Sequence, residues 1–262
     1  MGHAQLTRPT DAPPAAHVAP PVEANAPLED GLPDADVRPV HVAIIMDGNR
    51  RWARARGVAE IEGHAAGVEK LRFLVEHAVR RGIQVLSIYA FSRENWARSD
   101  EEVVGLFGLL EQAIRAETPE LVRQGVEVRV AGRTAELPAD LRASVAGACE
   151  ATAGGTRLVL NVAFNYSGRT EIVDALRAIV AAGTPAEEID EETVAAHLYT
   201  AGLPDPDLVI RTGGEHRLSN FLIWQSAYAE LHLSPVLWPD FDAAAFDAAL
   251  IAFAGRERRF GK

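Results

Sequence analysis

A chain of 262 residues with 48% hydrophobic and 24% charged side chains has the make-up of a folded globular protein, long enough for one large domain or two small ones. Its formal charge of −11 excludes broad nucleic-acid binding, so an anionic ligand must be met by a local basic pocket. A single cysteine, Cys149, excludes an intrachain disulfide and fits a cytoplasmic setting, and no stretch is long and charge-free enough to span a bilayer.

Residues 1–39 carry Pro9, Pro13, Pro14, Pro20, Pro21, Pro27, Pro33 and Pro39 among alanines and acids, with few aromatic or β-branched residues. Such a segment cannot bury enough to offset its ordering entropy, which predicts a disordered arm over 1–39 and a folded core over 40–262. The arm lacks the basic start and apolar centre of a secretion signal. The core opens on an apolar strand, 42–46, that delivers Asp47 into a turn at Gly48 and Asn49. Helical spacing of Val68, Leu71, Leu74, Val75 and Ala78 predicts a helix over 63–81, ended by Gly82. A strand follows at 83–89, a helix at 100–117, a strand at 126–130 turning at Gly132, and a helix at 137–153 in which Cys149 is a packed residue. Next come a strand at 158–164, a helix at 170–182 capped near Ser167, a strand at 208–211 continued by 227–233, and a closing helix at 241–253. The last residues, RERRFGK, read as a solvated basic end or a dimer contact.

Short buried strands alternating with helices predict an α/β fold: a single domain with a mostly parallel central β-sheet flanked by helices. In such sheets ligands collect at the carboxyl ends of the strands, where Asp47, the 92–96 stretch, 165–169 and 211–219 all fall. Asp47 stands beside Arg50, Arg51 and Arg54, a carboxylate able to hold a divalent cation next to guanidiniums able to grip phosphate. The competing reading is a turn aspartate accepting backbone N–H bonds. Arg211 and Arg217 bracket Gly213 and Gly214, with Ser219 beyond, and two guanidiniums plus a hydroxyl can cover much of a diphosphate's acceptor set. Surface salt bridges are the alternative there. No G-x-G-x-x-G follows the first strand, which argues against a dinucleotide site.

The strings HVAIIMDGNRRWAR (41–54), YAFSRENW (89–96), NVAFNYSGR (161–169) and DLVIRTGGEHRLSNFLIWQSAYAELH (207–232) resemble the cis-prenyltransferases, in particular bacterial undecaprenyl diphosphate synthases, across essentially all of 40–262. The resemblance implies one catalytic domain working as a homodimer, with Mg²⁺ as cofactor and at most peripheral membrane contact. It implies cis-condensation of isopentenyl diphosphate with an allylic diphosphate, farnesyl or geranyl, to give a cis-polyprenyl diphosphate. That chemistry cleaves the allylic C–O bond, attacks through the C3=C4 double bond of the extender, and loses a proton from C2. By resemblance Asp47 is the metal and diphosphate carboxylate, and Gly48, Asn49, Arg50, Arg51, Trp52, His64 and Arg98 bind the allylic substrate. Arg211, Arg217 and Ser219 would hold the isopentenyl diphosphate, and Glu230 would join metal binding, across the dimer. Ser92, Asn95 and Trp96 would arrange the extender and the proton loss, with aromatic packing as the competing role of Trp96.

Ala90, Phe91, Phe107, Leu110, Val162 and Phe164 are candidates for a hydrophobic tunnel, and simple core packing explains each as well. The chain also departs from the family pattern. Glu60 stands where an arginine is common, four residues before His64, and Arg50 stands where glycine is common, so positive charge is moved or lost; Glu62 adds another acid. Pro235 replaces an aspartate, and Phe164 stands where long-chain members have alanine or leucine, a ring that would shorten the product. These departures motivate an alternative: a short-chain, irregular or cyclising prenyl diphosphate synthase joining dimethylallyl diphosphate units. A non-catalytic partner subunit is the third reading, opposed by the presence of Asp47, Arg211, Arg217, Ser219 and Glu230 together.

Overall fold

The computed structural model describes residues 37–256; the arm expected over 1–39 lies outside them save for its last three positions, as does the basic C-terminal end beyond Arg256. Strands β1 (His41–Ile45), β2 (Val85–Ser92), β3 (Val126–Ala131), β4 (Leu158–Tyr166), β5 (Leu208–Arg211) and β6 (Glu230–Leu233) form one sheet in the order β3-β4-β2-β1-β5-β6. Every neighbouring pair among them is parallel. Helices cover both faces, which is why β1 is buried at all five positions and carries no polar alternation. Val42, Ile44, Leu86, Ile88, Leu208 and Ile210 meet α2 (Glu60–Arg80) and α7 (Ala243–Ala254) through Leu74, Val75, Ala78, Phe246 and Leu250. Ala43, Ile45 and Val209 point the other way, onto Tyr166, Phe221 and Leu222.

One polar chain crosses the sheet interior. Asn161 Nδ2 donates to Ser87 Oγ at 2.9 Å, and His41 sits 2.7 Å from Ser87 Oγ through Nε2 and 2.7 Å from the Pro204 carbonyl through Nδ1. The carbonyl can only accept, so Nδ1 carries the proton and Nε2 accepts from Ser87. Burial pushes the His41 pKa down to about 4. The unfolded chain therefore binds a proton below pH 6.5 that the folded state refuses. This stability is complete above pH 6.5, declines as pH falls, and about 3 kcal/mol of it is gone once pH passes about 4. A His41→Gln variant should lose less stability than the native chain between pH 7 and 4 in urea denaturation. A native-minus-variant difference that does not change with pH would remove His41 as the source.

The remaining helices are α1 (Asn49–Arg56), α3 (Asp100–Gln124), α4 (Ala139–Thr152), α5 (Gly168–Ala182) and α6 (Glu191–Ala195). α2 starts three residues before the expected 63 because the Glu62 carboxylate accepts the Ala59 N–H, closing its first turn. α3 runs past the expected 117 to Gln124, through Pro119. The missing N–H of Pro119 would have met the Arg115 carbonyl, while one residue earlier the Thr118 hydroxyl donates to the Ile114 carbonyl at 2.6 Å. β2 bulges at Ala90, between the pairs Tyr89–Ala163 and Phe91–Phe164, and reaches Ser92 instead of stopping at 89. α1 and α2 touch backbone to backbone: a Cβ on Gly63 would lie 2.3 Å from the Asn49 carbonyl oxygen. Among the described residues no helix is long and apolar enough to cross a membrane.

Candidate active site

The carboxyl ends of β1 and β5 are stitched together around Asp47. Its N–H donates to Thr212 Oγ at 2.9 Å, the Thr212 hydroxyl donates to its carbonyl at 2.7 Å, and the Trp238 N–H donates to the same carbonyl at 3.0 Å. Trp238 is itself buried, with Nε1 donating to the Gly67 carbonyl on α2. With its backbone fixed, the Asp47 carboxylate receives Arg211 at 2.8 Å and Arg51 at 3.3 Å. Arg211 is 4% exposed and its other Nη donates to Ser219 Oγ at 2.7 Å and the Arg217 carbonyl at 2.5 Å. One buried guanidinium thus ties the β1 end to the 217–219 loop. That loop is held in left-handed backbone at Ser219, Asn220 and Leu222, a conformation non-glycine residues adopt only when their surroundings impose it. Gly213, at φ +82°, lets Arg51 pass, since a Cβ there would stand 2.4 Å from an Arg51 Nη.

Arg50 and Arg54 lie one turn apart on α1 and converge on Glu60, at 2.5 Å and 2.7 Å. These two guanidiniums hold the Glu60 carboxyl below its ordinary range. The positive charge at Arg50 is therefore present and engaged by the acid that replaces the family arginine, whereas Glu62 is spent on the α2 cap. His64 is 9% exposed, with Nε2 3.5 Å from Glu102, which also accepts from Arg98 at 2.7 Å. Burial, then the Arg98 charge, lowers the His64 pKa below 6.5, so the imidazole is neutral at pH 7.

Asp47, Gly48, Asn49, Arg50, Arg51, Arg54, His64 and Arg98 line a basic hollow of about 340 Å³. A second hollow of about 170 Å³ adds Tyr89, Ala90, Ser92 and Asn95, and a broad bay of about 830 Å³ continues past Ser92, Asn95 and Arg98 to Arg169, Arg217 and Ser219. Asn95 Oδ1 accepts the Ser92 N–H at 2.9 Å and so shapes the turn between them. From the basic hollow an apolar channel of about 160 Å³ runs between the sheet and helices α2 and α3, past Ala90, Leu110, Val162 and Phe164. Of the other tunnel candidates, Phe91 and Phe107 stand behind this wall, packed edge-on with Phe164 and Trp96.

Three of the expected site residues sit apart from these hollows. Trp52 turns to the outer side of α1, where Nε1 donates to Asp240 at 2.8 Å and Arg56 lies 4.1 Å over its ring. Trp96 joins the aromatic cluster and donates to Asn165 Oδ1 at 2.8 Å. Glu230 faces Leu208 in the sheet register, and Leu208 faces Val42, five residues below Asp47. That is about 16 Å along the strands from Asp47. Its carboxylate takes Arg256 at 2.7 Å instead. Two further residues of the site carry no signal in the sequence pattern: Thr212, next to Arg211, and Tyr89, whose ring stacks on Phe221 at 4.7 Å and whose hydroxyl is pushed above its ordinary pKa by burial.

Among the described residues no three carboxylate, imidazole or thiol groups gather as a metal cage. Asp47, a single carboxylate facing a hollow sized for phosphate, fits magnesium, which keeps most of its shell for water and phosphate oxygens.

A family model described as "Putative undecaprenyl diphosphate synthase" matches residues 45–261. The chain is 51% identical to isoprenyl transferase 2 of Bradyrhizobium diazoefficiens, over 91% of this chain and 96% of that one. Its fold matches the crystal structure of lavandulyl diphosphate synthase from Lavandula x intermedia in complex with dimethylallyl diphosphate, at a TM-score of 0.84 and 38% identity, over 87% of this chain and all of that one. The crystal structure of a probable undecaprenyl diphosphate synthase from Campylobacter jejuni matches at a TM-score of 0.74 and 32% identity, over 86% of this chain and 99% of that one.

Proposed function

The chain belongs to the cis-prenyltransferases, the undecaprenyl diphosphate synthase family, whose members condense prenyl diphosphates, and from that premise we propose that it joins small units, dimethylallyl diphosphate among them, into a short prenyl diphosphate by regular or irregular condensation. One observation carries the two-substrate part of this reading: two arginine-bearing anion sites meet at the shared Arg211, and an apolar channel leaves only the first of them.

The allylic diphosphate lies in the hollow at Asp47, where Arg51, Arg98 and the turn at Gly48 and Asn49 face it, and its hydrocarbon enters the channel. The second diphosphate lies in the bay, on Arg217 and Ser219, with the Arg211 guanidinium behind the Ser219 hydroxyl. Asp47 would hold Mg²⁺, which when bound supplies charge neutralisation on the departing diphosphate. Arg51 and Arg98 add fixed positive charge at the same place, and the neutral His64 donates or accepts a hydrogen bond there without repelling the metal. Asn95 and Ser92 stand at the junction of the hollow and the bay, where the second substrate's reacting carbons and the proton to be lost must pass.

Two features support a short product. Glu60 occupies two of the guanidiniums that would otherwise grip the first diphosphate, and the Phe164 ring is locked in the channel wall by Phe91 and Phe107. The relative bound to dimethylallyl diphosphate supports small units. A second reading, elongation of geranyl or farnesyl diphosphate with isopentenyl diphosphate to a cis-polyprenyl diphosphate, is favoured by the small Ala90 at the channel mouth and by the depth of the channel. Mass analysis of products from dimethylallyl, geranyl and farnesyl diphosphate, each alone and with isopentenyl diphosphate, decides between them. We expect ten- to fifteen-carbon products, and a ladder of longer five-carbon additions would replace the first reading by the second. Phe164→Leu should lengthen the product, and is preferable to Phe164→Ala, whose cavity would cost about 3–5 kcal/mol.

We also propose that residues 40–262 form one catalytic domain, working in the cytoplasm as a homodimer. Leu231 and Leu233 lie exposed on the edge strand β6, beside Glu230, and supply an apolar surface for a second copy.

A further inference from the structure

The channel between α2 and α3 is apolar along its length and charged at its far end. Along α3 its wall runs from Leu106 to Leu121, about 22 Å, with Glu117 one helical turn short of the end. Glu117 is the one acidic residue in that wall, and both its carboxylate oxygens are taken by Arg72 of α2, Nε at 2.7 Å and Nη at 2.5 Å. Beyond lies a smaller void of about 40 Å³, shared by Arg72 and Glu117 with Gln124, whose amide donates to Glu120 at 2.7 Å and whose buried carbonyl oxygen has no partner. At the near end His64 and Glu102 face each other across the same two helices at 3.5 Å.

We propose that the Arg72–Glu117 pair is a clasp that closes the far end of the channel and sets the longest hydrocarbon tail the protein buries, making these two residues determinants of chain-length specificity. This rests on the reading of the channel as the seat of a prenyl tail. The clasp is partly solvated, with side-chain exposures of 55% and 26%, so its own bond strength is small. It stops a tail for a different reason. A methylene pushed between the ions strips water and partner from both, and one pushed past them finds only a void of about 40 Å³, too small to take a further isoprene unit while the two ions stand in it. Apolar side chains at both positions would extend the wall into the void behind.

The test is a series of n-alkyl diphosphates of increasing length, titrated with Mg²⁺ by calorimetry into the full chain. Native affinity should rise about four-fold per methylene and then stop at a defined length. In Arg72→Leu/Glu117→Leu the stop should move out by at least one isoprene length, and in the exchanged pair Arg72→Glu/Glu117→Arg it should return to the native position. Arg72→Met/Glu117→Gln, which keeps side-chain length and removes both charges, serves if the double leucine variant folds poorly, and should move the stop in the same direction. A stop at the native length in folded apolar variants would overturn the clasp while leaving the tail reading intact. Native affinity independent of chain length would remove both.

Discussion

Asp47→Asn is expected to lower turnover by about 10³-fold or more while changing unfolding free energy by less than about 1.5 kcal/mol. The amide keeps an oxygen facing Arg211, so the 2.8 Å contact survives as a hydrogen bond, but a neutral amide is a poor magnesium ligand beside phosphate. Asparagine is a cleaner test than alanine. Removing the whole group would strand a guanidinium that is 4% exposed, and the resulting loss of stability would blur the kinetic result. Steady-state rates of the purified variant across magnesium concentrations, beside its urea denaturation curve, are the measurement. Near-native turnover in a folded Asp47→Asn protein would sink the role given to this carboxylate.

Arg211→Met should cost more in stability, about 2–4 kcal/mol, and weaken both substrates together. Methionine fills much of the volume but abandons Asp47, Ser219 and the Arg217 carbonyl at once. Ser219, already in left-handed backbone, then loses the contact that holds it there. Arg211→Lys should recover little, because one ammonium cannot span a fork of three acceptors lying in two loops. A KM increase confined to one substrate would show that the guanidinium serves one pocket and not both.

Much of the fold was readable because buried parallel strands leave nearly continuous apolar runs such as VAII and LVLNVAF, the latter broken only by Asn161, and the helices between them keep their spacing. Element ends were harder, since they turn on single bonds: the Gly125 N–H that closes α3 on the Leu121 carbonyl, or the Glu62 carboxylate on the Ala59 amide. Within the site, the Asp47 and Arg211 clusters were legible as charged groups following strands. Where Glu230 lies was not legible, because the height of an acid in a sheet depends on register, and a four-residue strand paired with Leu208 puts it at the opposite end from Asp47. Nor did the run NRRWAR say which side of α1 each residue takes, so that Arg50 and Arg54 meet Glu60 while Trp52 meets Asp240. The sign of the charge at Glu60 was plain from the chain, but its partners required the fold.

The strand order also carries a consequence for how the molecule is made. β1 lies between β2 and β5, and β2 is finished at Ser92, whereas β5 is not synthesised until Arg211. During translation one edge of the most apolar strand must therefore wait for more than a hundred residues, a long-range closure of the kind that slows folding and exposes an unpaired edge to neighbouring chains. Arg211 and Thr212 arrive with that last partner, so the electrostatic frame around Asp47 is among the final things to form. A nascent chain released before β5 would have a sticky edge and no working centre. Substitutions that weaken the β1–β5 ladder should accordingly appear first as lower soluble yield in cells, before any defect is visible in the purified enzyme.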